Sequence, residues 1–383
     1  MKEIRNLSIG ILGGGQLGRM LGQAASPLNV SLHVLEPTPN PPAEFSVQSA
    51  TNGSFKDYDT VLAFGQKHDV LTVEIEEVNV EALEELEKQG KKVFPRPATL
   101  KTIRDKGIQK EFYDKNSIPT MPFSLYENKA EVEKAFSEGK FRLPFVQKSR
   151  REGYDGQGVR VLKTEADLEN LLDTKCVVEE MCKIQTEISV IVARNESGEV
   201  KTWKPVEMVF DPRANLIDFL ASPARISEEH ATVATQIAQD LAVKLDLVGI
   251  LAVEMFIDPE GNVVVNEAAP RPHNSGHQTI ENCRTSQYTQ HLRAILNLPL
   301  GSTELTSPSA MLNLTGEPDH SGQAKLEGLE EALKISGVAV HDYGKAETRP
   351  FRKMGHVTVL DNSIEGALEK AEQVKQIIKV VSQ

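Results

Sequence analysis

The sequence predicts an α/β protein of several domains, and three observations carry that prediction. An apolar strand, a Gly-rich turn and a helix follow one another between Leu7 and Ala25. A second Gly-rich stretch, Gly153 to Gly158, is set between two further apolar strands. A hairpin from Ile250 to Ala268 carries a carboxylate inside each of its apolar strands, Glu254 and Glu267. At 383 residues the chain has room for two or three domains. Its apolar and charged fractions, 39% and 26%, are those of a globular chain that buries a core. A net charge of −12 argues against a general nucleic-acid or anionic-membrane surface, so an anionic ligand must meet a local basic site. The longest apolar runs fall short of a membrane span. Met1 to Leu7 is charged, with no apolar core of a signal peptide. Cys176, Cys182 and Cys283 are odd in number and lack metal-ligand spacing, so reduced thiols in a cytoplasm are expected.

Taken in order, Leu7 to Leu12 reads as a strand, Gln16 to Ala25 as a helix, and Ser31 to Leu35 as a strand ending at Glu36. Gly13, Gly15 and Gly18, with an acid about twenty residues on, match the dinucleotide fingerprint literally. That pattern asks only for a tight turn and helix N–H groups aimed at an anion, which another phosphate ligand would satisfy equally. A nicotinamide-dependent oxidoreductase therefore stays open as one reading of this stretch. The rigid run Glu36-Pro37-Thr38-Pro39-Asn40-Pro41-Pro42 is unlike a long second Rossmann helix. Val70 to Ile75 is a strand, and Glu76 and Glu77 follow at its carboxyl end, where open α/β sheets bind ligands. The alternative for both is a solvated first turn of the helix from Asn79 to Gln89. Val93-Phe94 is a short strand, and helices run from about Ala98 to Lys115, with a domain boundary near Asp105.

Phe141 to Lys148 reads as a strand. Gly153-Tyr154-Asp155-Gly156-Gln157-Gly158-Val159 then forms a flap whose amides can fold over phosphates, with a plain hairpin turn as the alternative. No GK[ST] follows, so it is not a Walker A loop. Lys148 is a point charge suited to phosphate oxygens. Glu165 to Leu172 is expected as a helix, and Cys176 to Met181 and Thr186 to Val192 as strands. Glu179, Glu180, Met181 and Cys182, then Glu187, could offer backbone groups to a purine and a carboxylate to a ribose, or be ordinary strand-edge acids. Lys201 to Phe210 continues the strands, and Ser227 to Lys244 is an amphipathic helix with a capping start.

In the hairpin, a two-residue Glu260-Gly261 loop would place Glu254 opposite Glu267, and a longer loop would slip that register by one. Like charges so opposed destabilise a sheet, and a buried carboxylate is costly unless paired or metal-bound. A lone glutamate would read as a core salt bridge. The pair, with Asn266 as a third oxygen, points to Mg²⁺ or Mn²⁺. Arg271, His273, Asn274 and His277 follow in a Pro- and Gly-punctuated loop, where function concentrates. Thr285 to Leu296 is a helix in which His291 and Arg293 read as structural. After a Pro299 connector come strands at Ala310 to Leu314, Gly337 to His341 and His356 to Leu360, and a helix from Ser363 to Val380. Between them Lys345, Arg349, Arg352, Lys353 and His356 form an anion site or a solvated charge run.

Four motifs then go beyond generic reading: GGGQLGRM at Gly13–Met20, GYDGQG at Gly153–Gly158, NEAAPRPHNSGH at Asn266–His277 and RPFRKMGH at Arg349–His356. In order and over nearly the whole chain, they resemble the 5-(carboxyamino)imidazole ribonucleotide synthase family of the ATP-grasp superfamily. The last two are the specific ones. The resemblance implies an ATP-grasp fold: an N-terminal Rossmann-like pre-ATP-grasp domain (1–105), a central two-part ATP-grasp domain (106–298, lid about 115–182) and a small C-terminal β-rich domain (299–383). It implies a cytoplasmic, homodimeric ligase of purine biosynthesis, using ATP, bicarbonate and aminoimidazole ribonucleotide with Mg²⁺ or Mn²⁺. The rival within the superfamily is another purine ligase or formyl transferase.

By the same resemblance, Lys106, Lys148 and the flap Gly153, Tyr154, Asp155, Gly156, Gln157, Gly158 and Val159 hold phosphates. Glu179, Glu180, Met181 and Cys182 hold adenine, Glu187 ribose, and Glu254 with Glu267 the metal, Asn266 beside them. Arg271, His273, Asn274, Asp155 and Lys345 are the implied catalytic groups. Gln16, Leu17, Glu76, Tyr154, Lys345, Arg352 and Lys353 are the implied ribonucleotide contacts. Two departures stand out: Lys106 where the family often has Arg, and Phe351 where it often has Gly.

Overall fold

The computed structural model describes residues 3–151, 158–211 and 216–383. Among these residues the strands form four sheets. The first is all parallel, in spatial order Ser49–Asn52, Ser31–Glu36, Ser8–Leu12, Val70–Val73, Lys92–Val93. Its inner strands are apolar on both faces, with Ile9, Ile11, Val34, Leu71 and Val73 buried, as a helix-covered parallel sheet requires. Strand order reverses between Ser8–Leu12 and Val70–Val73, so a crevice opens at their carboxyl ends. The Gly13–Gly18 turn lies there and leads into the helix Gln16–Ala25.

The central sheet is antiparallel, in the order Val263–Ala269, Gly249–Ile257, Thr186–Arg194, Val206–Asp211, Leu216–Ser222, Ser309–Thr315, Lys353–Leu360, Val338–Asp342. The helix Glu228–Lys244, capped by Ser227, packs Ile237, Leu241 and Ala242 against its Ile188, Val190 and Val253. The strand Ser309–Thr315 pairs with Leu216–Ser222, so the C-terminal part of the chain prolongs this sheet. A smaller antiparallel sheet, Phe123–Tyr126, Cys176–Glu180, Phe145–Ser149 and Val159–Leu162, forms the opposite wall of a cleft. A bridge between Thr120 and Val265 ties it to the hairpin edge. The fourth sheet joins Glu347–Thr348, Gly322–Glu327 and Lys379–Ser382. No helix of the described residues is long and apolar enough to cross a membrane.

The hairpin reaches its glutamate pairing by a route the loop count does not foresee. Ile257 pairs with Val263 and Met255 with Val265, one step off the register of a two-residue loop. The turn is longer: Asp258 accepts from Gly261 N at 3.0 Å and donates its own N–H to Asn262 O at 3.1 Å. A bulge between Glu254 and Met255 absorbs the slip by leaving Asn266 as the extra residue, and Glu254 then faces Glu267. A bulge breaks strict alternation, so Asn266 and Glu267, consecutive in sequence, both reach toward the cleft.

Other boundaries move for identifiable reasons. The final helix stops at Ile377 because Ile378 turns extended, and Lys379–Ser382 pairs with the distant strand Gly322–Glu327. Glu165–Asn170 is a 3₁₀ segment, and the strand expected from Phe141 starts at Phe145. Phe351 holds a left-handed φ of 61°, the conformation a glycine would take without strain. The loop shape therefore survives the departure at this position. Phe351→Gly should be more stable than Phe351→Ala by about 1 kcal/mol, since the two differ in the Cβ that a positive φ penalises. Urea unfolding of the two variants checks this, and equal midpoints would contradict it.

Candidate active site

The site is assembled where the lid sheet, the hairpin and the crevice of the first sheet meet. Asp105 builds one side of it. Its carboxylate caps the helix Lys106–Lys115 through Gly107 N (2.9 Å) and Ile108 N (3.2 Å) and accepts from Arg150 Nε at 2.7 Å. This fixes the helix so that Lys106 reaches the hairpin, where its ammonium pairs with Glu267. From the lid, Lys148 Nζ donates to Asn266 Oδ1 at 2.7 Å and lies 2.7 Å from Glu179 Oε2. Val146 is paired with Glu179 across the lid strands, which makes Lys148 a same-face diagonal neighbour of that carboxylate.

The two hairpin carboxylates are unequal. Burial, then the Glu267 charge, pushes Glu254 well above the usual carboxylate range. The Lys106 ammonium holds Glu267 below it. Like charges this close are pushed apart in this way. Glu187, on the neighbouring strand, is raised to about 7 by burial, with Lys148 opposing. Among the described residues no cluster of three or more His, Cys, Asp and Glu converges on a metal-sized space. Two opposed carboxylates still fit Mg²⁺, which keeps waters and phosphate oxygens for the rest of its shell and is bound through one or two protein acids.

Above the pair, His273 Nε2 lies 3.6 Å from Glu254 Oε1. Its Nδ1 accepts from Ser275 N at 3.3 Å and meets Ser275 Oγ at 2.9 Å. A neutral ring accepting at Nδ1 carries its proton on Nε2, so a donor faces the cleft. Ser275 Oγ is held in turn by Ser189 Oγ at 2.8 Å, and Gln287 clamps the His273 backbone from both sides. Arg271 Nε pairs with Glu76 Oε1 at 2.8 Å, joining the hairpin loop to the first sheet. From the C-terminal loop, Lys345 is half-buried, and its Nζ donates to Lys353 O at 2.6 Å. Burial, then the Arg352 charge, draws Lys345 down to about 8.

The Gly13–Gly18 turn is occupied by the protein itself. Glu74, the residue after the strand Val70–Val73, accepts from Gly15 N and Gly18 N, and Glu36 accepts from Gly14 N at 2.9 Å. A Cβ on Gly13 would overlap Glu74, and one on Gly15 would come within 2.8 Å of Glu74 Oε1. Gly13 also holds a φ of +105°. These glycines make room for an internal carboxylate at the helix N-terminus, and a dinucleotide phosphate would have to displace it.

Family models match the chain in three consecutive stretches. They are the ribonucleotide synthetase preATP-grasp domain over 7–104, the ATP-grasp domain over 111–288 and the phosphoribosylaminoimidazole carboxylase C-terminal domain over 309–370. An N5-carboxyaminoimidazole ribonucleotide synthase of Synechococcus elongatus is 37% identical over 97% of this chain and 94% of its own. The chain belongs to the N5-carboxyaminoimidazole ribonucleotide synthase family.

A solved synthetase of this family from Thermotoga maritima is 44% identical, with a TM-score of 0.91 over 98% of this chain and all of its own. The Aspergillus clavatus synthase, solved with ADP and 5-aminoimidazole ribonucleotide, is 32% identical, with a TM-score of 0.87 over 98% of this chain and 99% of its own. A chloroplastic phosphoribosylaminoimidazole carboxylase of Vigna aconitifolia is 38% identical over 93% of this chain, but this chain spans only 64% of that relative's length.

The described residues among those expected at the site do not all meet at the cleft. Gly153, Tyr154, Asp155, Gly156 and Gln157 lie outside the described residues. Gly158 leads into the lid strand Val159–Leu162, with Ser149 N donating to Gly158 O at 2.8 Å. Glu179 turns its carboxylate inward to Lys148, whereas Glu180 is exposed and Cys182 is buried. Asn274 exchanges amide hydrogen bonds with Asn313 of the strand Ser309–Thr315, which ties the loop to the C-terminal part of the sheet. Leu17 is buried and Gln16 partly so, at the start of the helix Gln16–Ala25, on the Glu74 side of the site. Arg352 donates to Glu347 O, and Lys353 begins the strand that ends at Leu360. His291 and Arg293 are structural, as expected: His291 Nε2 meets Thr72 Oγ1 at 2.9 Å and Arg293 Nε donates to Pro299 O at 2.6 Å.

Sequence reasoning missed Lys110, Gln287 and the role of Glu74. The spacing of Lys110, one turn after Lys106, was the available signal for the first. Glu74→Ala should lower the unfolding free energy by about 2 kcal/mol, because the Gly15 and Gly18 amides lose their acceptor. Chemical denaturation measures it, and an unchanged midpoint would show that the glycine turn is held by something else.

Proposed function

We propose that the chain carboxylates 5-aminoimidazole ribonucleotide to 5-(carboxyamino)imidazole ribonucleotide, consuming ATP and bicarbonate. The observation that carries this reading is the opposed Glu254–Glu267 pair, met by Lys106 from one side and flanked by Lys148 from the lid. Three parts follow: a pre-ATP-grasp unit to about residue 105, an ATP-grasp unit to about 298, and a C-terminal unit beyond. The enzyme is proposed as a cytoplasmic homodimer, and the unpaired Cys176, Cys182 and Cys283 suit that compartment.

Glu254 and Glu267 would hold Mg²⁺ or Mn²⁺. When bound, the ion neutralises charge on the nucleotide's phosphate oxygens. Lys106 and Lys148 exchange their protein partners for phosphate oxygens, and the backbone after Glu179 takes the adenine while Glu187 takes the ribose. Phosphoryl transfer asks mainly for this positioning. A bicarbonate oxygen bonds to the γ-phosphorus as the bond to ADP breaks, giving carboxyphosphate. Arg271 presents a planar fork to that anion, and the His273 Nε2–H donates to it. Asn274, tied to Asn313, keeps the loop in place. The exocyclic amine then attacks the carboxyl carbon, phosphate leaves, and the amine proton departs to form a carbamate.

The ribonucleotide phosphate meets Lys345, Arg352 and Lys353, with Gln16, Leu17 and Glu76 from the first sheet. From the sequence alone, Tyr154 and Asp155 are proposed as contacts of the imidazole. Exclusion of water by the closed lid protects both labile species.

The test supplies ATP, aminoimidazole ribonucleotide and labelled bicarbonate. ADP should form in step with an acid-labile labelled product, and Glu267→Gln should lower turnover by about 10²-fold or more with unfolding unchanged. ADP release without bicarbonate label would replace this reading by another ligase of the superfamily.

A further inference from the structure

Lys106 and Lys110 leave one face of the helix Lys106–Lys115, a turn apart. Lys106 reaches the hairpin, but Lys110 stays inside, 2% exposed. Its Nζ lies 2.6 Å from Glu179 Oε1 and donates to Thr120 Oγ1, whose hydroxyl donates to Val265 O at 2.8 Å. Glu179, 4% exposed, puts its other oxygen 2.7 Å from Lys148 Nζ. One buried carboxylate thus lies between two ammoniums, one sealed in the core and one facing the cleft.

The charge balance decides what each lysine does. A buried carboxylate with a single ammonium closes into a neutral pair, and withdrawing either partner strands a charge in a dry site. With Lys110 in place the trio keeps a net charge of +1. Lys148 can then turn toward an anionic ligand without leaving Glu179 uncompensated. Burial pushes Glu179 up, but Lys148 and Lys110 together outweigh it and hold it ionised. Burial draws Lys110 down to about 8, with Glu179 as the main opposing pull.

We propose that Lys110 is a positioning residue for nucleotide binding: by neutralising Glu179 from behind, it leaves Lys148 available to a phosphate. This rests on the reading of Lys148 as a phosphate ligand. Lys110 itself touches no ligand in this proposal, so its influence passes wholly through Glu179.

The experiment is a double-mutant cycle read as the Kd of Mg·ADP by calorimetry. Lys110→Met in the native background should weaken binding by about tenfold or more. The same change in a Glu179→Gln background should alter Kd by less than about threefold, because no carboxylate remains for Lys110 to neutralise. Lys110→Arg, which keeps the charge, should fall closer to the native protein than Lys110→Met does.

An equal loss in both backgrounds, or none in either, overturns the proposal. Should Lys110→Met alone fail to fold, Glu179→Gln and the double variant still decide it, since both lack the stranded carboxylate. A difference between those two larger than about threefold counts against it. Failure of the native protein to bind Mg·ADP would instead remove the ATP reading itself.

Discussion

Two acids facing each other across a hairpin, Glu254 and Glu267, set the terms for the surrounding structure. Left alone they would repel, so the chain brings cations to them from separate elements. Lys106 comes from the helix that Asp105 caps, and Lys148 from a strand of the lid. Lys148 is held by Glu179 and by the Asn266 amide. The same groups that bind one another here are those the proposed reaction needs for a metal and a triphosphate. Arg271 and the C-terminal Lys345 come from elsewhere, Arg271 engaged by Glu76 and Lys345 by the backbone oxygen of Lys353.

The first glycine turn shows how one sequence pattern can arise from different physics. Glycines at Gly13, Gly15 and Gly18 read as a phosphate cradle because they expose helix amides. In the fold the anion they receive is Glu74, from the adjoining strand. Burial raises Glu74 to about 6, with the two amides opposing. The strand Val70–Val73 therefore locks the turn that carries Gln16 and Leu17, and the next residues deliver Glu76 to Arg271. A nucleotide tail would compete with a residue built into the sheet.

Much of this was legible because it rests on local chemistry. Apolar periodicity marks the helices Gln16–Ala25 and Glu228–Lys244 closely, and carboxylates inside apolar strands mark the hairpin as functional. What was not legible depends on distant partners. The bulge at Asn266 is visible only once the turn hydrogen bonds are known, although it alone restores the Glu254–Glu267 pairing. The strand Lys379–Ser382 looks like the end of a helix until Gly322–Glu327 is found beside it. Lys110 looks like any surface lysine of an amphipathic helix. Its burial follows from Glu179, some seventy positions away in the chain on a strand of the lid sheet. At Phe351 the departure is plain in the sequence, but the positive φ that it tolerates is not.

The claim that Glu254 and Glu267 share a divalent ion is tested most directly by crystals grown with Mn²⁺ and a non-hydrolysable ATP analogue, using the anomalous signal of the metal. The account predicts a manganese peak between the two carboxylates, with an oxygen of each and phosphate oxygens in its shell, and Lys106 moved off Glu267. A peak elsewhere, or a triphosphate bound at the Gly13–Gly18 turn with the pair still bare, would contradict it.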